Sequence, residues 1–248
     1  MNYIKLFLIS IGMVLTFQNS WAEEVRVNLE PLPPLVVDIE TGLTLQLLRE
    51  IEGISDLKFT ITIGPYNRAK MALKDGRAAL MGHTPHQLEA KEFYEYAQEL
   101  KWSIPTKIDV YSLKKDNVSL GKYKTLKRIG TPRGNKEFIS EVLGIPLNQF
   151  YEGKIENLFK MLAKGRIDAF LFERVSSQTS IKKLKLQGVY YHEVMFVPAS
   201  FAVQKTPQGT RLMKKLDALI NKTNHTDIFK DYSKFMKLPK EGVVSLSN

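Results

Sequence analysis

The 248-residue chain contains no cysteine, which excludes disulfide bonds, a thiol nucleophile, a cysteine-bound zinc ion and a cysteine for lipid attachment. Its four histidines, His83, His86, His192 and His225, show no metal-binding spacing, and Pro85 keeps His83 and His86 from sharing a helix face. Phosphate-binding loops, dinucleotide-binding glycine motifs and Gly-x-Ser-x-Gly nucleophile motifs are also missing. These absences argue against metal, nucleotide and triad chemistry, and no cofactor is expected.

The chain also lacks an apolar run long enough to span a membrane. Residues 6–17 are apolar, but they number about a dozen, whereas a spanning helix needs roughly twenty. This run follows Lys5 and precedes Ser20-Trp21-Ala22, which has small residues at the two positions that signal peptidase recognises. We therefore predict a signal peptide over residues 1–22, cleaved near Ala22, and a periplasmic mature protein. An uncleaved membrane anchor is the alternative, which the shortness of the run disfavours.

Acidic residues are fewer than basic ones, and the formal net charge is +10. The basic residues are interspersed with Asp and Glu, and the densest cluster, residues 182–185, is typical of a solvated helix face. We therefore expect no nucleic-acid partner. A positive field would still favour capture of an acidic small molecule.

The chain contains one segment twice. Residues 70–81 read KMALKDGRAALM, and residues 160–171 read KMLAKGRIDAFL. Each copy predicts a short amphipathic helix, a turn at Gly-Arg and a short apolar strand. Two copies of one α/β unit indicate two similar lobes with a site between them. Chance recurrence of a common helix-turn-strand pattern is the alternative.

Strand and helix signals alternate along the rest of the chain, which favours an α/β fold. Thr84-Pro85 has the form of a helix start, with threonine as N-cap and proline at the first helical position. A strand-like run over residues 196–203 contains Pro198, which is compatible only with a strand end or edge. The polar, basic residues 114–127 are predicted to form the first crossing between the lobes.

The order of these features resembles that of periplasmic solute-binding proteins of family 3, the binding components of polar amino-acid uptake transporters. The resemblance rests on the signal peptide, an early strand ending at Pro33-Pro34, residues 66–69 (YNRA) before the first repeat, residues 165–169 (GRIDA), and a two-helix C-terminus. It extends over nearly the whole chain after residue 22. The individual motifs are short, and their order is more specific than any one of them.

The resemblance implies a type II periplasmic-binding-protein-like fold, with a ligand cleft between two lobes that are joined by two crossing segments and close by a hinge. We expect one lobe to comprise residues 23–110 and 206–248, and the other residues 111–205. The resemblance further implies a monomer that is not an enzyme. It would capture a small polar solute, an amino acid or related organic acid, for an inner-membrane ABC permease.

Six residues are predicted to contact the ligand: Tyr66, Arg68, Thr84, Trp102, Arg133 and Glu173. Amino-acid-binding members of the family usually have a threonine followed within a few residues by an arginine that clamps the ligand carboxylate. Residues 84–91 (TPHQLEAK) contain no arginine, and lysine or histidine replaces that bidentate clamp poorly. Arg68, after a strand, and Arg133, before a helix N-terminus that favours anions, are the candidate substitutes.

The other candidates also have alternative interpretations. Tyr66 is either a ligand contact or a partly buried loop aromatic, and Trp102 either stacks on the solute or belongs to the core or cleft wall. Glu173 lies where the family commonly has an acidic residue for the ligand ammonium, but it could instead pair with Arg174 or Lys182 on the surface. Arg133 could equally be an exposed loop residue, because Gly134 and Asn135 suit a turn.

Two other functional classes use the same fold. A dehydratase-like enzyme would need a titratable group in the cleft, for which Glu30, Glu173 and His83 are the candidates. No pair among them has a spacing that argues for acid-base catalysis. A ligand sensor that docks on a membrane receptor would use the same cleft, and the sequence does not separate it from a transport protein.

Overall fold

The structure is a computed structural model that describes residues 22–246, so the predicted signal peptide lies outside the described residues except for its last residue. The strands of this range are β1 (Glu23–Leu29), β2 (Leu57–Ile63), β3 (Leu80–Pro85), β4 (Ala97–Glu99), β5 (Lys107–Ser112), β6 (Ile129–Pro132), β7 (Phe150–Gly153), β8 (Ala169–Glu173), β9 (Tyr190–Phe196), β10 (Ala199–Gln204) and β11 (Glu241–Val243). The α-helices are α1 (Leu43–Gly53), α2 (Tyr66–Lys74), α3 (Phe93–Tyr96), α4 (Lys136–Leu143), α5 (Ile155–Ala163), α6 (Arg174–Lys183), α7 (Pro207–Ile220), α8 (His225–Ile228) and α9 (Lys230–Lys234).

These strands form two mixed sheets, one in each lobe. The first lobe has the strand order β2-β1-β3-β10-β4, in which β1 is parallel to β2 and β3, and β10 is antiparallel to its neighbours. The second lobe has the order β11-β9-β5-β8-β6-β7, in which β6 is parallel to β7 and β8, and the other pairs are antiparallel. The predicted α/β class is confirmed.

The repeated segment forms the same unit in each lobe. The first copy runs from α2 into β3, and the second from α5 into β8, and both strands lie in the interior of their sheets. Gly76 and Gly165 make the turns with φ of 72° and 65°, a left-handed conformation that glycine adopts without a steric penalty. The Gly-Arg break therefore marks the turn after which each strand runs toward the space between the lobes.

The core of each unit follows from side-chain spacing. Helix α5 buries Ile155, Leu158, Phe159 and Leu162, the i, i+3, i+4, i+7 pattern of one helix face, and all five residues of β8 are buried. Burial of each large apolar side chain contributes roughly 1.5–3 kcal/mol of transfer free energy. The packed face of α5 thus holds β8 in position and, with it, the residue at the end of that strand.

The crossings between the lobes differ from the predicted boundaries at 110/111 and 205/206. Strand β5 already pairs with β8 and β9 of the second sheet, so the first crossing precedes residue 107 and is not formed by residues 114–127. Strand β10 already pairs with β3 and β4, so the chain has returned to the first lobe by Ala199. The run predicted as one strand is two strands interrupted at Pro198, because the chain changes sheets there.

Thr84 and Pro85 are also placed differently from the prediction of a helix start. They end strand β3 and pair with Ser200 and Ala199 of β10. Cross-strand pairing satisfies the backbone groups that a helix would otherwise use, so tertiary contact overrides the local capping pattern.

The C-terminal segment crosses between the lobes a third time. Helix α7 packs against α1 and β10 of the first lobe, whereas β11 pairs with β9 of the second lobe. The fully buried Arg174 secures this segment, because its guanidinium donates to the carbonyl oxygens of Phe235 and Leu238 at 3.4 Å each. The predicted assignment of residues 206–248 to the first lobe therefore does not hold for β11.

Candidate ligand-binding cleft

A small cavity lies between the two lobes, where strands of both sheets end. Its volume is about 50 Å³, room for only a few water-sized groups. Glu30 follows β1, His83 and Thr84 lie near the end of β3, and Glu173 ends β8. The walls between these polar groups are mostly apolar and include Leu32, Ile108, Phe138, Ile139, Phe172 and Val197. Open α/β sheets bind ligands beyond the carboxyl ends of their strands, so the cavity occupies the expected place.

The two lobes touch each other at this cavity. The side chain of Asn135, at the start of α4 in the second lobe, donates from Nδ2 to Glu30 Oε2 of the first lobe at 2.9 Å. Next to it, Gly134 has φ of 91°, and a Cβ at that position would lie 2.7 Å from the backbone nitrogen of Asn67. The lobes are therefore as close as a glycine at position 134 permits, which is a closed arrangement.

Three of the six predicted ligand residues, Tyr66, Thr84 and Glu173, line the cavity. The Tyr66 hydroxyl donates to Glu89 Oε1 at 2.5 Å, and Lys70 Nζ lies 3.1 Å from the other oxygen of that carboxylate. Thr84 Oγ1 donates to the carbonyl oxygen of Ser200 at 3.3 Å. Each of these two polar groups thus has a partner within its own lobe.

Glu173 has a structural task at the edge of the cavity. Its carboxylate caps the N-terminus of α6 by accepting hydrogen bonds from the backbone N–H groups of Val175 and Ser176 at 2.8 and 2.7 Å. It also accepts from the hydroxyls of Ser176 and Tyr232, at 2.7 and 3.1 Å. Four donors occupy the carboxylate, and the proposed surface pairing with Arg174 is not seen because that guanidinium faces Asp109. Little acceptor capacity remains on Glu173 for a ligand ammonium.

The structure does not bring the other three predicted residues into the cavity. Arg68 and Arg133 are exposed, and neither lines it. Trp102 stacks on Phe201 with ring centroids 5.5 Å apart and contacts Phe229 at 5.7 Å, so it packs in the wall of the first lobe. Helix α2 buries Tyr66 and Ala69 and leaves Arg68 on its solvent face.

Among the carboxylates of the cavity, Glu30 has the pKa that burial raises most clearly. Its exposed fraction is 5%, and burial raises its pKa to about 7, an effect opposed by the hydrogen bond from Asn135. The carboxylates of Glu89 and Glu173 raise the pKa further, and Lys70 lowers it. The cavity is therefore acidic, and a closed cleft penalises the ionised form of Glu30.

His83 is the second buried titratable group of the cavity. It is 4% exposed, and burial lowers its pKa to about 4, so the imidazole is neutral at physiological pH. Its Nε2 lies 3.2 Å from Thr44 Oγ1, whereas its Nδ1 is buried without a hydrogen-bond partner among residues 22–246. The ring packs against Phe201 at a centroid distance of 5.0 Å.

The loop before α4, where an anionic ligand was predicted, hydrogen-bonds a carboxylate of strand β7. The Gly134 N–H donates to Glu152 Oε1 at 2.6 Å, and Lys136 Nζ lies 3.1 Å from the other oxygen of Glu152. The N–H groups of Arg133 and Asn135 donate to the carbonyl oxygens of Gly153 and Pro132. The three amides of residues 133–135 therefore all have acceptors within the protein.

Asn135 is not among the predicted ligand residues, because its sequence context indicates only a turn. Glu30 and His83 are predicted only as candidate catalytic groups. The position of Glu30 directly after β1 was a usable signal, because an acidic residue at a strand end tends to face a cleft. No local signal marks Asn135, since its partner lies 105 positions away in sequence.

Neither a metal site nor a membrane span was found over the part of the chain that the structure describes. Within residues 22–246, no three histidine, aspartate or glutamate side chains converge closely enough to hold a metal ion. The helices of the same range are all too short or too polar to cross a bilayer.

Solved structures share this architecture. A histidine kinase sensor domain with similarity to periplasmic binding proteins superposes with a TM-score of 0.70 at 13% identity, covering 91% of this chain and 99% of the sensor domain. An ancestral arginine-binding protein bound to arginine gives 0.69 at 17% identity, with 86% and 99% covered. A substrate-binding protein of an ABC uptake transporter from Streptococcus pneumoniae, with bound histidine, gives 0.68 at 14% identity, with 88% and 94% covered.

These likenesses confirm the predicted two-lobe fold of periplasmic binding proteins. No protein-family model matches the chain, and no curated protein sequence does so either. The similar structures include transporter binding proteins and a sensor domain, and their low identities establish the fold without establishing what this chain binds.

Proposed function

We propose that this chain is an exported, periplasmic solute-binding protein that captures a small polar solute between its lobes for uptake by an inner-membrane transporter. The observation that carries the proposal is the cavity at the strand ends of both sheets, bridged by the contact between Asn135 and Glu30. A solute held there is contacted from both lobes at once, so its binding free energy favours the closed arrangement.

Thermal unfolding of residues 23–248 against a panel of amino acids, amines, small carboxylates and sugar acids tests this proposal. A solute at a hundred times its dissociation constant adds roughly 2.7 kcal/mol to the free energy of unfolding. For a protein of this size, that corresponds to a rise in Tm of about 5–11 °C. A Tm that no solute raises, in a sample shown by circular dichroism to be folded, would reject the proposal.

A ligand sensor is the second candidate, favoured by the likeness to the histidine kinase sensor domain. Ligand binding alone does not separate the two candidates, because both use the same cleft. Photo-crosslinking of the protein in intact cells, with its ligand present, distinguishes them by whether an ABC permease subunit or a receptor protein is joined. We assign the transport role, so a receptor as the main crosslinked partner would overturn that part of the proposal.

A further inference from the structure

The first-lobe wall of the cleft carries hydrogen-bond acceptors that a ligand could use. Glu30 Oε2 accepts one hydrogen bond from Asn135, and an ionised carboxylate has about four acceptor sites, so Glu30 can accept further donors. His83 lies in the neighbouring strand β3, and the Glu30 N–H donates to the carbonyl oxygen of Gly82 at 3.3 Å. The two side chains thus emerge side by side from adjacent strands into one cavity.

His83 supplies an independent indication of a ligand. Its Nδ1 is buried without a partner among the described residues, although buried polar atoms normally have one. When Nε2–H donates to Thr44 Oγ1, Nδ1 carries the unused lone pair of a ring that lines the cavity. An N–H donor on a ligand would satisfy this atom.

The described lining contains no basic side chain that would pair with a ligand carboxylate. Lys70 is engaged by Glu89, and Arg68 and Arg133 are exposed outside the cavity. The Gly134 N–H is occupied by Glu152. A carboxylate in this cleft would face Glu30 without a cation beside it, which is electrostatically unfavourable.

We propose that the cleft binds a small organic ammonium ion that carries no carboxylate, with its N–H groups on Glu30 and His83 Nδ1 and its apolar part against Phe138 and Phe172. This inference rests on the proposed solute-binding function and narrows it to one chemical class. The aromatic walls suit a cation as well, since ring faces attract positive charge. The expected solute is an amine of the size of a decarboxylated amino acid.

Isothermal titration calorimetry with matched pairs tests the inference: isobutylamine against valine, isopentylamine against leucine, and putrescine against ornithine. Each pair differs only in the carboxylate. The amine of at least one pair is expected to bind at least tenfold more tightly than its amino acid. Amino acids that bind as tightly as, or more tightly than, their amines would overturn the inference and leave the solute-binding function intact. Binding of no amine and no amino acid, with a folded protein, would overturn the inference; the wider solute panel then decides separately on the solute-binding function.

Two substitutions test the residues named. Glu30→Gln keeps an acceptor for Asn135 but removes the charge, and it is expected to weaken amine binding roughly ten- to a hundredfold, the effect of losing a hydrogen bond to a charged group. Glu141→Gln removes the same charge from an exposed position on α4 and is expected to leave affinity unchanged. His83→Phe retains a ring against Phe201 and is expected to weaken amine binding, with some loss of Tm because the buried Thr44 hydroxyl loses its hydrogen bond. Unchanged amine affinity in Glu30→Gln would overturn the assignment.

Arg68→Ala tests the alternative of an arginine clamp. We expect the affinity for the amine to stay within twofold, because Arg68 is exposed and does not line the cavity. A tenfold loss would show that Arg68 reaches the ligand and would contradict the proposed ammonium site.

Discussion

Raising the pH should open the ligand-free cleft through Glu30. In the closed arrangement burial raises the pKa of Glu30 to about 7, from 4.5 for a solvated carboxyl group. When the lobes separate, water reaches the carboxyl group and its pKa returns toward the solvated value. The closed form therefore binds this proton more tightly than the open form, and closing takes up a proton between pH 4.5 and pH 7.

The size of the effect follows from the two pKa values. Each unit of difference corresponds to about 1.4 kcal/mol, so the shift of Glu30 disfavours the closed form by up to about 3 kcal/mol once the pH exceeds 7. Below pH 4.5 Glu30 is protonated in both forms and does not disfavour the closed one. The free-energy penalty on the closed form then grows as the pH rises to 7. His83 does not interfere over most of this window, because its pKa is about 4.

Small-angle X-ray scattering of residues 23–248 between pH 4.5 and 8 measures this equilibrium. The radius of gyration should rise with pH in the unsubstituted protein and stay constant in Glu30→Gln, whose amide does not titrate. Glu141→Gln, with its substitution on the solvent side of α4, should behave like the unsubstituted protein. A Glu30→Gln protein with the same pH-dependent expansion would refute the reasoning, as would an expansion on acidification.

The closed arrangement and the C-terminal crossing lead to two further predictions. Gly134→Ala places a Cβ 2.7 Å from the Asn67 nitrogen, so scattering should show separated lobes and calorimetry weaker ligand binding. Gly144→Ala is the matched control, since its φ of 65° imposes similar backbone strain with no atom within 4 Å, and equal behaviour of the two variants would contradict the steric argument. Arg174→Ala leaves the buried Asp109 without its bidentate partner at 2.7 and 2.8 Å, and urea unfolding should show a loss of roughly 3–5 kcal/mol. Combining Arg174→Met with Asp109→Leu should restore most of that stability, and a double variant as unstable as Arg174→Ala would show that the packing, rather than the unpaired charge, is responsible.

Local features of the fold were predictable because they arise from residues close together in sequence. The helix-turn-strand repeat depends on apolar spacing within α2 and α5 and on a left-handed glycine in each turn. Both signals act within a dozen residues, so they do not depend on contacts with the rest of the chain. The prediction failed at Thr84, whose capping pattern is real but weaker than the cross-strand pairing with β10.

The lobe boundaries were not predictable from periodicity. Strands β5 and β10 have the same β-branched and aromatic character, and nothing in either segment specifies which sheet it joins. Each strand's sheet is decided by its pairing with strands that are distant in sequence, β8 and β9 for β5 and β3 for β10. The C-terminal strand β11 illustrates the same limit, since it pairs with β9, which lies about fifty residues earlier.

The sequence alone determined the α/β class and the two repeated units, because composition and local spacing specify them. The expectation that a carboxylate clamp is missing came from the resemblance to family 3 binding proteins. Tertiary structure decided which side chains share the cleft. Asn135 meets Glu30 across 105 positions, Glu173 is occupied by four donors, and both candidate arginines remain in solvent. The charge and hydrogen-bonding capacity of a binding site depend on groups brought together by folding, and these cannot be read from the residue types before their partners are known.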